Sequence, residues 1–111
     1  GHETTTSLLG WTVLLLAINK DWQEKARKEV VELFGQNNPN SDGIARLKIM
    51  NMIIEESLRL YPPVPALKRK VVREVRLGRL ILPPNMELYI PPLALHHDPQ
   101  IWGEDVCLFK P

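Results

Sequence analysis

Two short stretches of this 111-residue chain combine residue types that can do chemistry. Near the amino end stands Gly1-His2-Glu3-Thr4-Thr5, where a carboxyl group adjoins a hydroxyl at the opening of a long apolar run. An acid beside an alcohol can relay protons in a dry pocket. On these five residues alone, threonines crowding a helix start are the simpler account. His2-Glu3 does not open a zinc-protease motif, because that motif needs a second histidine at the fifth position and Thr6 stands there. The second stretch is Glu56-Ser57-Leu58-Arg59, where carboxylate and guanidinium share a helix face and can meet as a planar two-point pair. Most isolated pairs at this spacing are solvated surface contacts of small worth. This one runs directly into Leu60-Tyr61-Pro62-Pro63. A third group, Lys68, Arg69, Lys70, Arg73, Arg76 and Arg79, is basic with only Glu74 among it. It reads mainly as a solvated strand face. Nucleic acid is excluded as its partner, since aromatic residues for stacking are not interleaved. His96, His97, Asp98 and Glu104 match no strong metal-ligand spacing.

The elements that must hold these residues follow from periodicity and punctuation. Residues 1–19 predict a helix that is apolar on every side from Leu8 to Ile18, so other elements have to enclose it. Residues 21–35 predict an amphipathic helix. Asp21 and Glu24 form its capping box, Trp22, Ala26, Val30 and Leu33 its apolar stripe, and Gly35 its stop. Glu24–Lys28 and Lys25–Glu29 are its expected ion pairs. A loop at 36–41 leads to a third helix, about 44–61, whose buried side is expected at Leu47, Met50, Ile54, Leu58 and Tyr61. Pro62-Pro63 ends it. Short strands are predicted within about 66–90, chiefly Val71–Leu82 and Met86–Ile90, turning near Gly78 and Pro83-Pro84-Asn85. A short helix at about 91–97 completes the expectation. The fold class is therefore mainly α with a small β-sheet portion, an α+β arrangement, with residues 1–111 as one partial domain.

Taken in chain order, these motifs resemble the cytochrome P-450 family, the haem-thiolate monooxygenases. Gly1-His2-Glu3-Thr4-Thr5 resembles the oxygen-activation stretch of the family's long distal helix. Glu56-Ser57-Leu58-Arg59 resembles its Glu-x-x-Arg. His96 to Gly103 resembles the His-x-Asp-Pro-x-x-Trp-Gly segment, and Phe109-Lys110-Pro111 the opening of Phe-x-Pro-Glu-Arg-Phe. The resemblance covers essentially the whole chain. Its flavour is that of plant clan seventy-two, seen in Asp21-Trp22-Gln23-Glu24-Lys25-Ala26-Arg27 and Ser41-Asp42-Gly43-Ile44. It implies a haem cofactor, dioxygen and a small apolar substrate, with NADPH electrons arriving through a cytochrome reductase. It also implies an endoplasmic reticulum location on the cytosolic face, with membrane association only through an amino-terminal anchor not present here. By the same resemblance Glu3 and Thr4 are the catalytic acid–alcohol pair that guides protons to dioxygen. Gly1 leaves room beside the haem. Glu56 and Arg59 lock the core behind it, and a further arginine beyond Pro111 completes their network. Arg69 grips a haem propionate with its planar fork. Val64, Pro65, Ala66, Leu67 and Lys68 line the substrate pocket, their small and apolar character suiting an apolar molecule. His96 and Asp98 fix the loop before the haem region.

The single cysteine does not fill the family's defining role. The axial thiolate follows the Phe-x-Pro stretch in a glycine- and arginine-bearing loop, whereas Cys107 precedes Phe109. No metal ligand is therefore expected in this chain, and the chain alone is expected to be inactive. One cysteine also excludes an internal disulfide. A net charge of +1 implies no global pull toward nucleic acid or anionic membrane. No apolar run reaches the roughly 20 residues that span a bilayer. Nine of the ten prolines lie after residue 60, where the chain turns from helix-compatible to punctuated. With Gly first and Phe109-Lys110-Pro111 last, both ends are expected to be cut. Two rival readings are a stand-alone binding module built on the Trp22–Phe34 helix and the basic cluster, and an inactive truncated gene product.

Overall fold

Three long helices pack side by side and a string of small elements follows them. The computed structural model describes residues 1–111. Helix α1 (His2–Ile18) packs on α4 (Lys48–Leu60), and α2 (Lys20–Phe34) packs on both. Between α2 and α4 lies one turn, α3 (Ser41–Ile44), where a loop was expected up to residue 41. Asn40 caps it, its side-chain oxygen accepting from the Gly43 N–H at 2.8 Å. Gly43 itself is buried beneath Phe34: a Cβ there would sit 2.3 Å from the Phe34 ring.

The start of α2 differs from expectation. Asn19, not Asp21, occupies the cap position, and no side chain caps the helix. Asn19 also ends α1, its amide N–H bonding back to the Leu15 carbonyl at 2.9 Å, so the junction is too short for a separate capping box. The ion pairs differ too. Glu24 pairs with Arg27, and Lys28 with Glu32. Lys25 lies over the Trp22 ring at 3.9 Å. Glu29 turns away from its own helix, as described below. Gly35 does terminate α2, in the left-handed region at φ 56°.

The buried face of α4 is rotated from the expected one. Ile53, Ser57, Leu60 and Arg59 are buried, whereas Tyr61 is exposed and Met50, Ile54 and Leu58 are half-buried. Helix α4 is flanked by α1 and α2 on one side and by α5 on another. It therefore buries an arc wider than a single stripe, including a polar sector that hydropathy alone assigns to solvent. With Leu15, Ala26, Phe34 and Leu47, these residues form the helical core.

The strands form two small antiparallel ladders. β1 (Leu67–Lys70) pairs with β4 (Glu87–Ile90), with Arg69 opposite Leu88. β2 (Val75–Leu77) and β3 (Leu80–Leu82) form a hairpin turning at Gly78, φ 60°. The turn expected near Gly78 is present and divides Val71–Leu82 into a bend and the β2–β3 hairpin, and the strand expected from Met86 begins at Glu87. Asn85, at φ 67°, closes the return to β4 and donates its amide to the Val71 carbonyl at 2.7 Å. Two single-turn helices end the chain's regular structure, α5 (Pro92–His96) and α6 (Pro99–Trp102), the second capped by the Asp98 carboxylate.

The shape is elongated, 59 × 32 × 22 Å, with a radius of gyration of 18.6 Å. A compact domain of this length has about 13 Å. Helix α1 buries only Thr12 and Leu15, and Leu9, Val13, Leu14 and Ile18 are exposed. No helix is long and apolar enough to cross a membrane.

Candidate functional site

The most strongly built polar feature is centred on Arg59. One turn apart on α4, Glu56 and Arg59 meet fork to fork: Nε donates to Glu56 Oε2 at 2.7 Å and Nη2 to Oε1 at 2.8 Å. Their side chains are only 11% and 8% exposed. The guanidinium's other three donors reach across the chain. Nη1 donates to the carbonyls of His96 (2.9 Å) and Val106 (2.7 Å), and Nη2 to that of Leu108 (3.3 Å). All five N–H groups of the side chain have acceptors, the condition under which a buried guanidinium is tolerated. Hydrogen bonding to Glu56 raises the Arg59 pKa against the opposing effect of burial, with the Glu56 charge adding to the rise. The side chain therefore stays charged at any physiological pH. Glu56 Oε1 accepts a further bond from the Lys110 amide at 3.0 Å. One ion pair on α4 thus clamps α5 and the whole segment from Val106 to Lys110.

Neighbouring contacts hold the same corner. His97 Nε2 lies 2.9 Å from the Leu60 carbonyl at the end of α4, in the geometry of an N–H donor. Trp102 Nε1 donates to the Leu95 carbonyl at 3.0 Å, and its ring lies under the Arg59 guanidinium at 5.3 Å. His96 stands edge-on to Trp102, and its buried Nδ1 has no partner. Cavities of 240 and 200 Å3 open beside Glu56, Arg59, Trp102 and Lys110. The carbonyl acceptors were invisible in the sequence, because any residue type carries one.

Glu29 is a second feature that the sequence did not disclose. Its carboxylate accepts from the first three amides of α4, those of Lys48 (2.7 Å), Ile49 (2.8 Å) and Met50 (3.1 Å). A side chain on α2 therefore satisfies the orphan donors of a neighbouring helix and sits at the positive end of its dipole. Burial pushes the Glu29 pKa up, but these three amide bonds outweigh it, and with Lys48 nearby the net shift is downward.

The remaining sequence-derived candidates are spread over the surface. Gly1, Glu3 and Thr4 lie exposed at the opening of α1. Arg69 is exposed on β1, one guanidinium nitrogen donating to the Lys68 carbonyl at 2.8 Å. It borders a 240 Å3 cavity with Lys68, Lys70, Glu87, Leu88 and Tyr89. Val64, Pro65, Leu67 and Lys68 are exposed and Ala66 half-buried. Pro65 lines a 260 Å3 groove with Leu60, Pro62, Leu93 and the stacked rings of Trp11 and Tyr61, 4.0 Å apart. None of the five main cavities joins Glu3 or Thr4 to Arg69. The structure thus brings Glu56 and Arg59 together and sets Lys68 beside Arg69, while no main cavity joins either pair to Glu3 or Thr4.

A helix apolar on every side opens on Glu3-Thr4, and a buried Glu-x-x-Arg clamp holds the loop after α6. The chain belongs to the cytochrome P-450 family, whose model matches residues 1–111. It is 63% identical over 111 residues to cytochrome P-450 CYP749A22 of Panax ginseng and 52% identical to cytochrome P-450 72A68 of Medicago truncatula. It is 48% identical to the 11-oxo-beta-amyrin 30-oxidase of Glycyrrhiza uralensis. Each match takes in 100% of this chain and 21% of the relative, so the chain spans about a fifth of the length of these curated relatives.

The family implies a haem. The exposed Arg69 fork is chemically suited to a haem carboxylate. Cys107 does not fit as the iron's thiolate, because it is exposed and lines none of the five main cavities. The largest main cavity, 260 Å3, is also below the roughly 300–1,000 Å3 of ordinary cofactor sites.

Proposed function

We propose that these residues serve a haem-dependent monooxygenase that places one atom of dioxygen in a small apolar molecule and releases the other as water. NADPH supplies the electrons through a cytochrome reductase, on the cytosolic face of the endoplasmic reticulum. The observation that carries the reading is the buried Glu56–Arg59 clamp in a chain 63% identical, over its whole length, to a plant cytochrome P-450. The haem, when bound, supplies the oxygen-activating chemistry.

This chain's own residues supply protons, position and shape. Glu3 and Thr4 move protons along an acid–alcohol relay, and Gly1 keeps the helix opening free of side-chain bulk. Arg69 holds a haem carboxylate with its two-point fork. Val64, Pro65, Ala66 and Leu67 present small aliphatic surface to the substrate, with the Lys68 stem beside them. A relative named for oxidising 11-oxo-beta-amyrin is in keeping with an apolar substrate class. Glu56 and Arg59 act at a distance, fixing the segment from His96 to Lys110 against α4. The 111 residues alone are inactive on this reading.

Expression of the full-length protein with a plant reductase tests it. The reduced, carbon-monoxide-treated sample is expected to give the thiolate-type absorption band. Isotope-labelled dioxygen should place one labelled atom in a triterpenoid or similar apolar substrate. A haem protein without that band, or label found only in water, would overturn the assignment.

A further inference from the structure

We propose that Trp11 and Tyr61, stacked on each other, are positioning residues for the segment after α4, and that their contact governs how tightly bulky ligands bind. The segment leaves α4 at Tyr61 and enters β1 at Leu67. Between them, residues 62–66 take part in no backbone–backbone hydrogen bond. Pro62, Pro63 and Pro65 have no N–H to give. A stretch without bonds along its length takes its course from its two ends. The far end is fixed by the pairing of Leu67 with Ile90. At the near end the Tyr61 ring lies face to face with Trp11, their centroids 4.0 Å and their planes 5° apart. Pro62 and Pro65 border the same groove as both rings, so the segment runs past the stack.

Tyr61 is the C-cap of α4, with non-helical φ −133° and ψ 69°. Its ring contact therefore fixes the direction in which the chain leaves the helix, which helix-on-helix packing alone does not. Trp11 comes from the helix that opens on Glu3-Thr4. Thr4, Leu8, Trp11 and Leu15 follow one another at four, three and four residues, the spacing of a single helix face. That face includes the buried Leu15, and α1 packs on α4. The stack thus ties the segment to the face of α1 that carries Thr4. On the reading of Val64, Pro65 and Ala66 as substrate-lining, which this role presupposes, one aromatic contact holds two walls of the pocket in register. A ligand large enough to touch the segment meets it already ordered. Without the stack, binding has to order it, and affinity falls.

Two azoles test this in the full-length protein, because an azole nitrogen on the iron shifts the haem absorption whatever the natural substrate is. Clotrimazole is bulky enough to reach the pocket walls, and 1-phenylimidazole is slim. W11L and Y61L, each checked for an unchanged reduced carbon-monoxide spectrum, are expected to bind clotrimazole about three- to ten-fold more weakly, the worth of one aromatic pair. Both should bind 1-phenylimidazole as the parent does. W11F and Y61F keep two stacked rings and should keep the parent affinity for clotrimazole. The double variant W11L/Y61L should be no weaker than either single one, because the second change has no contact left to remove. Unchanged clotrimazole binding, equal weakening of both azoles, or additive losses would each overturn the proposal. Loss of the carbon-monoxide band in both W11L and Y61L would overturn it too, because the stack would then hold the fold and not the segment. A parent protein without the thiolate-type band would overturn the monooxygenase assignment itself, and this role with it.

Discussion

Replacing Arg59 by lysine keeps the charge and removes the fork. The guanidinium has five donors, and the structure gives it five acceptors: two oxygens of Glu56 and the carbonyls of His96, Val106 and Leu108. An ammonium group has three donors on one nitrogen, so at least two acceptors lose their partner. A buried acceptor left unmet costs about 1–3 kcal/mol, which puts the loss at about 2–6 kcal/mol. That range agrees with the roughly 3–5 kcal/mol for breaking a buried ion pair. Water screens little of it, because the two side chains are 8% and 11% exposed. Set against a native stability of about 5–15 kcal/mol, the conservative change is severe. Urea unfolding of the full-length protein, followed by far-ultraviolet circular dichroism, measures it. Hydrogen exchange should rise first at the Val106 and Leu108 segment. An R59K protein within about 0.5 kcal/mol of the parent, the scatter of ordinary surface changes, would refute the account. A cycle with E56Q and R59M should show the two sites coupled by about 1–3 kcal/mol; additive losses would mean that the pair is not a unit.

Four further outcomes are expected. The isolated 111-residue chain exposes 8738 Å2, about 2,500 Å2 more than the roughly 6,200 Å2 of a compact protein of 12.7 kDa. It should therefore melt broadly and bind a hydrophobic dye; a sharp two-state calorimetric transition would instead support an autonomous binding module. E29Q should cost about 1 kcal/mol as a lost cap. Because the Glu29 pKa is lowered in the fold, its contribution is complete above the unfolded value of about 4.3. It disappears as pH falls through the folded value, so the parent and E29Q denaturation curves should converge in acid. G43A should destabilise by about 1–3 kcal/mol through overpacking against Phe34, read as a lower unfolding midpoint with an unchanged slope. T4V in the full-length protein should leave the carbon-monoxide spectrum intact while NADPH consumption outruns product; tight coupling of the two in T4V would remove Thr4 from the proton relay.

What the sequence disclosed, and what it hid, divides along a physical line. Helices α1, α2 and α4 announce themselves through runs of helix-forming residues closed by Gly35 and Pro62-Pro63, local signals that tertiary contacts do not override. Glu56 and Arg59 are legible because both partners lie within one turn of one helix. Long-range choices were not legible. Glu29 was expected to pair with Lys25 four residues away, and it bonds to amides 19, 20 and 21 residues on. A charge pair on a solvated helix face is worth little, whereas three amides at a helix start offer a carboxylate stronger, charge-assisted bonds. The same competition explains Asp21: a cap needs a non-helical residue, and the one-residue junction at Asn19 leaves Asp21 already inside α2.

The buried face of α4 carries that reasoning further. Hydropathy pointed to Met50, Ile54 and Leu58, and the helix buries Ser57 and Arg59 more deeply. Ser57 can be buried because its hydroxyl bonds the Ile53 carbonyl one turn back at 2.7 Å, and Arg59 because five acceptors surround it. Three of those five are backbone carbonyls at residues 96, 106 and 108, so the arginine's place depends on how the chain returns more than on what it is made of. This gives the clamp a specific sensitivity. Substitutions at Val106 or Leu108 that keep the backbone path should be tolerated, whereas a change that moves that path by an ångström strands the guanidinium. Inserting one residue between Gly103 and Val106 should therefore destabilise as much as R59K, although it removes no side chain that Arg59 touches.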